Sequence, residues 1–321
     1  VSILFLRKRG KGCNILEGII PLYKPAGMTS HDCVFRLRKL LRTKKVGHTG
    51  TLDPDVTGVL PICIGRATKV AEYITDAGKS YIGEVTIGYA TATEDGSGET
   101  IEEKHVDRPI TREEILGVLN SLTGEIIQTP PMYSAVKVNG KRLYEYARQG
   151  LVIDRPSRTV DIYSMELLDD RMIFEGNNIS FRFKVSCSKG TYIRTLAVTI
   201  GQKLGYPAHM SYLQRVKSAV FSLEDCYTFS DIEEAVERGS VEDLLRSMEE
   251  AVLHLPKLSI NDTVAEKVKN GSQLAIPSYL MEEEGPIAVC TEEGLLLAIY
   301  CKHPVKPGLL KPDKVLRIAP Q

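Results

Sequence analysis

GHTGTLDPDVTGVLPICIG, residues 47–65, is the stretch from which the fold of this 321-residue chain is read. From Gly47 to Gly58 it combines three glycines, threonines and an Asp53–Pro54 step. That composition describes a tight, irregular loop able to hold a carboxylate at the floor of a cleft. Taken alone, Asp before Pro is also ordinary turn chemistry. The apolar run VLPICIG that follows reads as a strand. Upstream, GIIPLY (Gly18 to Tyr23) reads as another short strand, and Ser30 is placed to cap a helix whose Val34, Leu37, Leu40 and Leu41 share one face. The opposite face is basic, with Arg36, Arg38, Lys39, Arg42, Lys44 and Lys45. Such a run is either solvated helix surface or a phosphate contact.

Downstream, a short helix carries Val70 and Ile74, and Tyr81 to Tyr89 alternates as a strand does. Thr111 with Glu114 forms a capping-box pattern that opens a helix with Ile115, Leu119 and Leu122 on one side. EIIQ is strand-like, as are residues 158–168 and 179–187, the latter alternating Ile179, Phe181, Phe183 and Val185 with polar residues. A helix is expected from Thr191 to Leu204, closed by Gly205, followed by short acidic helices with Ser230 and Glu233 as a second capping box. Past a linker at Leu255 and Pro256 come a helix over Val264–Asn270 and the strands IAVC, LLLAIYC and VLRIA. Closely spaced strands of this kind suggest a small β-barrel.

Several classes are disfavoured. No apolar stretch has the length a bilayer requires. The seven cysteines are odd in number and never form CxxC, which suggests buried thiols rather than disulfides or a zinc site. Net charge is zero, but its distribution is uneven. Residues 1–80 hold 14 Lys and Arg against 6 Asp and Glu, a net of +8, whereas residues 222–254 hold 2 against 10, a net of −8. A polyanion can meet the basic part provided the fold keeps the two apart.

The runs YKPAGMTSHD (from Tyr23), GHTGTLDPDVTGVLPICIGRATK, KSYIGEVTIGYATATED, PPMYSAVKVNGKRLYEYAR and CSKGTYIRTLA, in this order, together resemble the TruB family of tRNA pseudouridine-55 synthases. Five blocks in order are far more specific than any one of them. The resemblance spans residues 18 to 320, and the tail from Lys257 is similar to a PUA domain, a small RNA-binding pseudobarrel. It implies an α+β fold: a pseudouridine synthase catalytic domain over residues 18–254, built on a mixed, mainly antiparallel sheet with flanking helices, then a PUA barrel over residues 255–321. Residues 1–17 have no counterpart and are expected to be a disordered basic leader.

The reaction the resemblance implies breaks the N1–C1′ bond of the T-loop uridine, turns the base and rejoins it through C5. No atom enters or leaves, so no cofactor or metal is expected. Asp53 matches the catalytic carboxylate, as nucleophile at C1′ or base at C2′, and Asp55 is its local competitor. An ionised carboxylate in a closed pocket needs a cation; Arg194 matches the arginine that supplies it. Tyr81 matches the tyrosine that stacks on the flipped base, Leu213 the pocket leucine, and His48 the histidine that fills the space of the evicted nucleotide. Lys24 and Pro25 are expected to shape the floor. Outside the site, Arg66, Lys69, Lys137, Lys141 and Arg142 are candidate phosphate contacts. The implied partner is the tRNA T-stem-loop, met by a cytoplasmic monomer with no membrane and no obligatory protein partner. The rival readings are a tRNA-folding chaperone of the same fold and a related synthase working on another RNA inside a protein complex.

Overall fold

The structure is a computed structural model that describes residues 16–317; apart from Leu16 and Glu17, the expected leader lies outside the described residues. The principal elements of the first unit are β1 (Gly18–Lys24), α1 (Ser30–Leu40), β2 (Val46–His48), β3 (Thr57–Ile64), α2 (Ala71–Asp76), β4 (Lys79–Ile87), α3 (Arg112–Ser121), β5 (Gly124–Gln128), β6 (Arg158–Leu167), β7 (Ile179–Cys187), α4 (Ile193–Leu204), β8 (Ala208–Ser218) and α5 (Phe229–Arg238). A nine-stranded sheet runs β1-β3-β8-β4-β7-β6-β5, with β2 also paired to β3. The β3–β8 pair is parallel, and the other pairs along this path are antiparallel. The alternation in β7 does what a period of two requires: Ile179, Phe181, Phe183 and Val185 are buried while Arg182 and Lys184 are exposed. Its buried face joins one core with Ile115 and Leu119 of α3 and Leu196, Ala197 and Ile200 of α4.

Four local expectations shift. Thr29, not Ser30, caps α1, sharing a capping box with Asp32. Ser30 instead turns inward, where its Oγ accepts the Leu52 N–H at 2.8 Å and so ties α1 to the loop of Asp53. The second capping box is Thr228 with Asp231, because the helix starts two residues earlier than its Ser–Glu spacing suggested. Glu233 is thereby free to take Arg36 at 2.7 Å, with the Arg36 guanidinium over the Phe229 ring. The basic helix and the acidic segment therefore abut at this point rather than standing apart. Tyr192 occupies the N-cap of α4, so the helix opens at Ile193, with Gly205 in the left-handed conformation at its end.

The second unit holds β9 (Lys257–Ile260), α6 (Asp262–Lys269), β10 (Leu274–Ala275), β11 (Ile287–Thr291), β12 (Leu296–Lys302) and β13 (Leu309–Val315), in a five-stranded order β9-β11-β12-β13-β10. Here β13 takes LLKPDKV, with Leu310 facing Lys302 and Val315 facing Ala298, so the strand lies upstream of Leu316 and Arg317; the end of the expected VLRIA strand, 318–319, lies outside the described residues. The two units share a core. Ile19, Val59, Val70 and Ile74 pack with Ala288, Leu296, Ile299 and Leu316, while Tyr73 hydroxyl donates to Asp313 and Lys314 pairs with Glu72 at 3.0 Å. Burial of this kind makes the second unit part of the scaffold beneath the sheet.

Gly58 shows how tightly β3 and β8 meet. Its φ is +107°, and a Cβ there would lie 2.1 Å from the Arg215 carbonyl oxygen. Gly58→Ala is expected to cost about 1–3 kcal/mol through φ alone, before the clash. A fall in the thermal midpoint of roughly 5–10 °C is predicted by calorimetry; an unchanged midpoint would show that the two strands part freely.

Candidate active site

The loop between β2 and β3 is held from below by groups the chain buries for that purpose. Lys24 at the end of β1 donates from Nζ to the carbonyls of Pro25 at 2.8 Å, Pro54 at 2.8 Å and Val56 at 2.7 Å. Burial pushes its ammonium pKa down, with Asp55 and Asp53 among the charges that oppose the shift. Thr49 is buried with Oγ1 on the Pro61 carbonyl, and Gly50 takes φ +116°, a value an L residue rarely adopts. These restraints aim the Asp53 side chain upward, 44% exposed, into a cleft of about 400 Å³.

Arg194, in the first turn of α4, is the partner of that carboxylate. Its Nε lies 3.1 Å from Asp53 Oδ2, and its side chain is only 7% exposed. Nη1 donates to the Thr93 carbonyl at 2.9 Å and stands 3.5 Å from Asp95 Oδ2, while Nη2 donates to the Tyr133 carbonyl at 2.9 Å. All three guanidinium nitrogens are thus spoken for by three different segments. The planar fork of arginine suits this arrangement in a way a lysine ammonium does not. Burial pushes the Asp53 pKa up; Arg194 pulls it back, Asp95 adds to the rise, and the net direction is upward. Asp95 differs. Although burial pushes it up too, hydrogen bonds from Ser97 and Thr93, together with Arg194, hold it below the usual carboxylate range.

The cleft brings Asp53, Tyr81, Arg194 and Leu213 together with Lys79 and Arg215. Tyr81 on β4 is nearly buried, and burial raises its phenol pKa while Arg215, its cross-strand neighbour on β8, works against the rise. Leu213 sits opposite Gly83 in the same pair of strands. His48, Lys24, Arg66, Lys69 and Lys137 do not line the cleft. His48 closes β2, accepts the Gly50 N–H on Nδ1 at 3.3 Å, and is kept neutral by burial and by the charge of Arg215. Arg66 pairs with Glu17, and Lys69 donates to the Val315 carbonyl at 2.8 Å across the two units. Lys137 is exposed in a two-residue strand beside Lys141 and Arg142. Asp55 faces a separate hollow that it shares with Asp95 and Leu213. Among the described residues no cluster of His, Cys, Asp and Glu could hold a metal ion.

Sequence reading missed Ser30 as a loop tether, Asp95 as the second carboxylate on Arg194, and Lys79 and Arg215 as cleft cations. Asp95 ends the block KSYIGEVTIGYATATED, but no spacing in the chain singles it out; Arg215 lies in a strand whose apolar alternation is interrupted by bulges at Met210/Tyr212 and Arg215/Lys217.

Residues 38–193 match the family model described as TruB family pseudouridylate synthase (N terminal domain), and residues 194–253 match that of the tRNA pseudouridylate synthase B C-terminal domain. The tRNA pseudouridine synthase B of Geobacillus thermodenitrificans is 59% identical over 302 residues, which is 94% of this chain and 100% of that protein. That of Bacillus anthracis is 58% identical over 301 residues, 94% of this chain and 97% of that protein. Among solved structures, a chain of a Cbf5-Nop10-Gar1 complex superposes with a TM-score of 0.73 at 31% identity, covering 94% of this chain and 85% of that one.

The loop tether can be probed directly. Lys24→Met keeps the side-chain length but removes the donor to three carbonyls; that of Pro54 keeps the Gly27 N–H at 3.0 Å, whereas the buried bond to Val56 is lost, at about 1–3 kcal/mol for a group left buried and unpaired. A lower thermal midpoint and faster hydrogen exchange at the amides of Thr49, Leu52 and Val56 are expected. Unchanged exchange there would show that Lys24 does not hold the loop.

Proposed function

As a member of the TruB family of pseudouridylate synthases, this chain is a tRNA pseudouridine synthase and hence an isomerase, and we propose that Asp53 is its catalytic carboxylate, acting on a uridine of the tRNA T-loop. The observation that carries the reading is the ion pair of Asp53 with the buried Arg194 at the base of the cleft. An arginine with all three nitrogens engaged cannot swing away, so the carboxylate stays in place and ionised when the base closes over it. Its raised pKa makes it a better base than a surface aspartate, while Arg194 favours its charged form.

Both chemical routes use that charge. As a nucleophile, an Asp53 oxygen bonds to C1′ while the C1′–N1 electron pair leaves with the base. As a general base, it removes the C2′ proton, the C2′–H electrons form a double bond to C1′, and the base leaves with the same pair. The base then turns and C5 bonds to C1′: on the first route the Asp53–C1′ bond breaks and its electron pair returns to the carboxylate, and on the second the double-bond electrons take back the proton at C2′ from Asp53. In each case the C5 proton then departs and N1 gains one. A target inside a folded loop has to be extruded to reach the carboxylate. Tyr81 and Leu213 offer the stacking surfaces for it, and His48, outside the cleft lining, is proposed to fill the space of the evicted nucleotide.

The T-stem-loop is the proposed ligand of the cationic hairpin of Lys137, Lys141 and Arg142, with Arg66 and Lys69 as further phosphate contacts. The second unit, from residue 255, is proposed as the PUA domain, with the boundary of the catalytic domain at residue 254. We further propose a monomer acting in the cytoplasm without cofactor or obligatory protein partner. No described helix is long and apolar enough to cross a membrane.

The test incubates an unmodified tRNA transcript with the wild type or with Asp53→Asn, without added cofactor or metal, and reads pseudouridine by mass spectrometry. Pseudouridine at the T-loop position is expected from the wild type, and none from a variant that still binds the tRNA. Binding without modification by either protein would favour a tRNA-folding chaperone instead.

A further inference from the structure

Lys79 and Arg215 are the two buried cations lining the cleft, beside Arg194, that no carboxylate pairs with among the described residues; Arg158 also lines it but is exposed. Asp53 and Asp95 both face Arg194. Arg215 is 1% exposed and gives Nε to the Val59 carbonyl at 2.7 Å and Nη2 to the Gly50 carbonyl at 3.3 Å. Lys79 is 7% exposed and gives Nζ to the carbonyls of Thr75 at 2.6 Å and Ala77 at 3.1 Å. Neither makes an ion pair within 4.0 Å among the described residues. The two stand side by side: a Cβ on Gly50 would lie 3.5 Å from Lys79 Cε and 3.8 Å from Arg215 Nη1. Arg215 is also the direct cross-strand neighbour of Tyr81, and all three line the cleft.

Burying a cation against carbonyl dipoles alone is costly. Burial, reinforced by the charge of Arg215, pushes the Lys79 ammonium down to about 8. Two buried positive charges facing one cleft without a counter-ion suit an anion that forms there. The reaction makes one. When the C1′–N1 bond breaks, its electron pair stays on the uracil, and the charge spreads over N1, O2 and O4. Arg194 is committed to the carboxylate on the other wall and does not face this charge freely.

We propose that Arg215, with Lys79 beside it, stabilises the departing uracil anion. The electron pair that C1′ gives up is held on the base while it turns, and it is consumed as C5 bonds to C1′. This inference rests on Asp53 marking the reacting end of the cleft. An RNA phosphate is the other anion that could meet the pair, and the two are separable, because a phosphate contact acts on binding whereas leaving-group stabilisation acts on the rate.

The experiment compares tRNA transcripts carrying uridine or 5-fluorouridine at the target position. Fluorine withdraws electrons and stabilises the uracil anion by itself, so cleavage should lean less on the protein's cations. Single-turnover consumption is measured for the wild type, Arg215→Gln, Arg215→Lys and Lys79→Met, with tRNA affinity and thermal midpoint alongside. Arg215→Gln is expected to slow uridine by about 10²-fold but 5-fluorouridine by about 10-fold or less, at unchanged affinity. Arg215→Lys should recover most of the loss, and Lys79→Met should show the same substrate dependence at smaller size. Equal slowing of both substrates, or a loss confined to affinity as a phosphate contact would give, overturns the proposal. Should Arg215→Gln fail to fold, Lys79→Met decides by the same comparison. Absence of pseudouridine with the wild type would instead remove the reading beneath it.

Discussion

Arg194 ties three separate segments around the cleft to the helix that carries it. It rises from the first turn of α4, meets Asp53 on the β2–β3 loop, holds the Thr93 carbonyl and Asp95 on the loop beyond β4, and takes the Tyr133 carbonyl on the segment after β5. A buried guanidinium is tolerable only if its donors are satisfied. That requirement works in both directions: the loops must come to the arginine, and once they do, none of them can move independently. The catalytic geometry and the tertiary geometry are therefore the same set of contacts. The nine-stranded sheet supplies the platform, and the second unit stiffens it from beneath through a shared core.

Two charge systems face each other across the cleft. On one wall Arg194 is shared between a carboxylate whose pKa is raised and one whose pKa is lowered. Asp95, held low by Ser97 and Thr93, is the fixed partner, so Asp53 is the carboxylate that the arginine can serve as chemistry demands. On the floor, Lys79 and Arg215 carry positive charge bound only to backbone carbonyls. Glycosidic cleavage separates charge, and a site lined by fixed charges of both signs needs little reorganisation to accommodate it.

Much of this was legible in the chain and some was not, for definite reasons. Asp53, Arg194, Tyr81 and Leu213 were legible through the resemblance of their segments to the TruB family, and the structure gathers them in one cleft. The alternation in β7 and the Gly205 stop on α4 are local signals that tertiary contacts leave untouched. The cap of α1 was misplaced because threonine and serine stand side by side, and only the inward bond from Ser30 to Leu52 tells them apart. Asp95, Lys79 and Arg215 were invisible because what distinguishes them is burial without an ordinary partner, a property of distances between strands and loops far apart in sequence. Arg36 was read as solvated helix surface or a phosphate contact, and only the approach of α5 to α1 shows that Glu233 takes it.

The central claim is that Arg194 sets the charge of Asp53, and a direct titration of the Asp53 carboxyl, by carbon-13 NMR of aspartate-labelled protein, tests it without reference to any substrate. In the wild type the resonance should titrate above the ordinary aspartate range, because burial outweighs the arginine. In Arg194→Gln it should move further up, since the opposing positive charge is gone while the burial remains. A midpoint that stays where it was, or falls, would contradict the account.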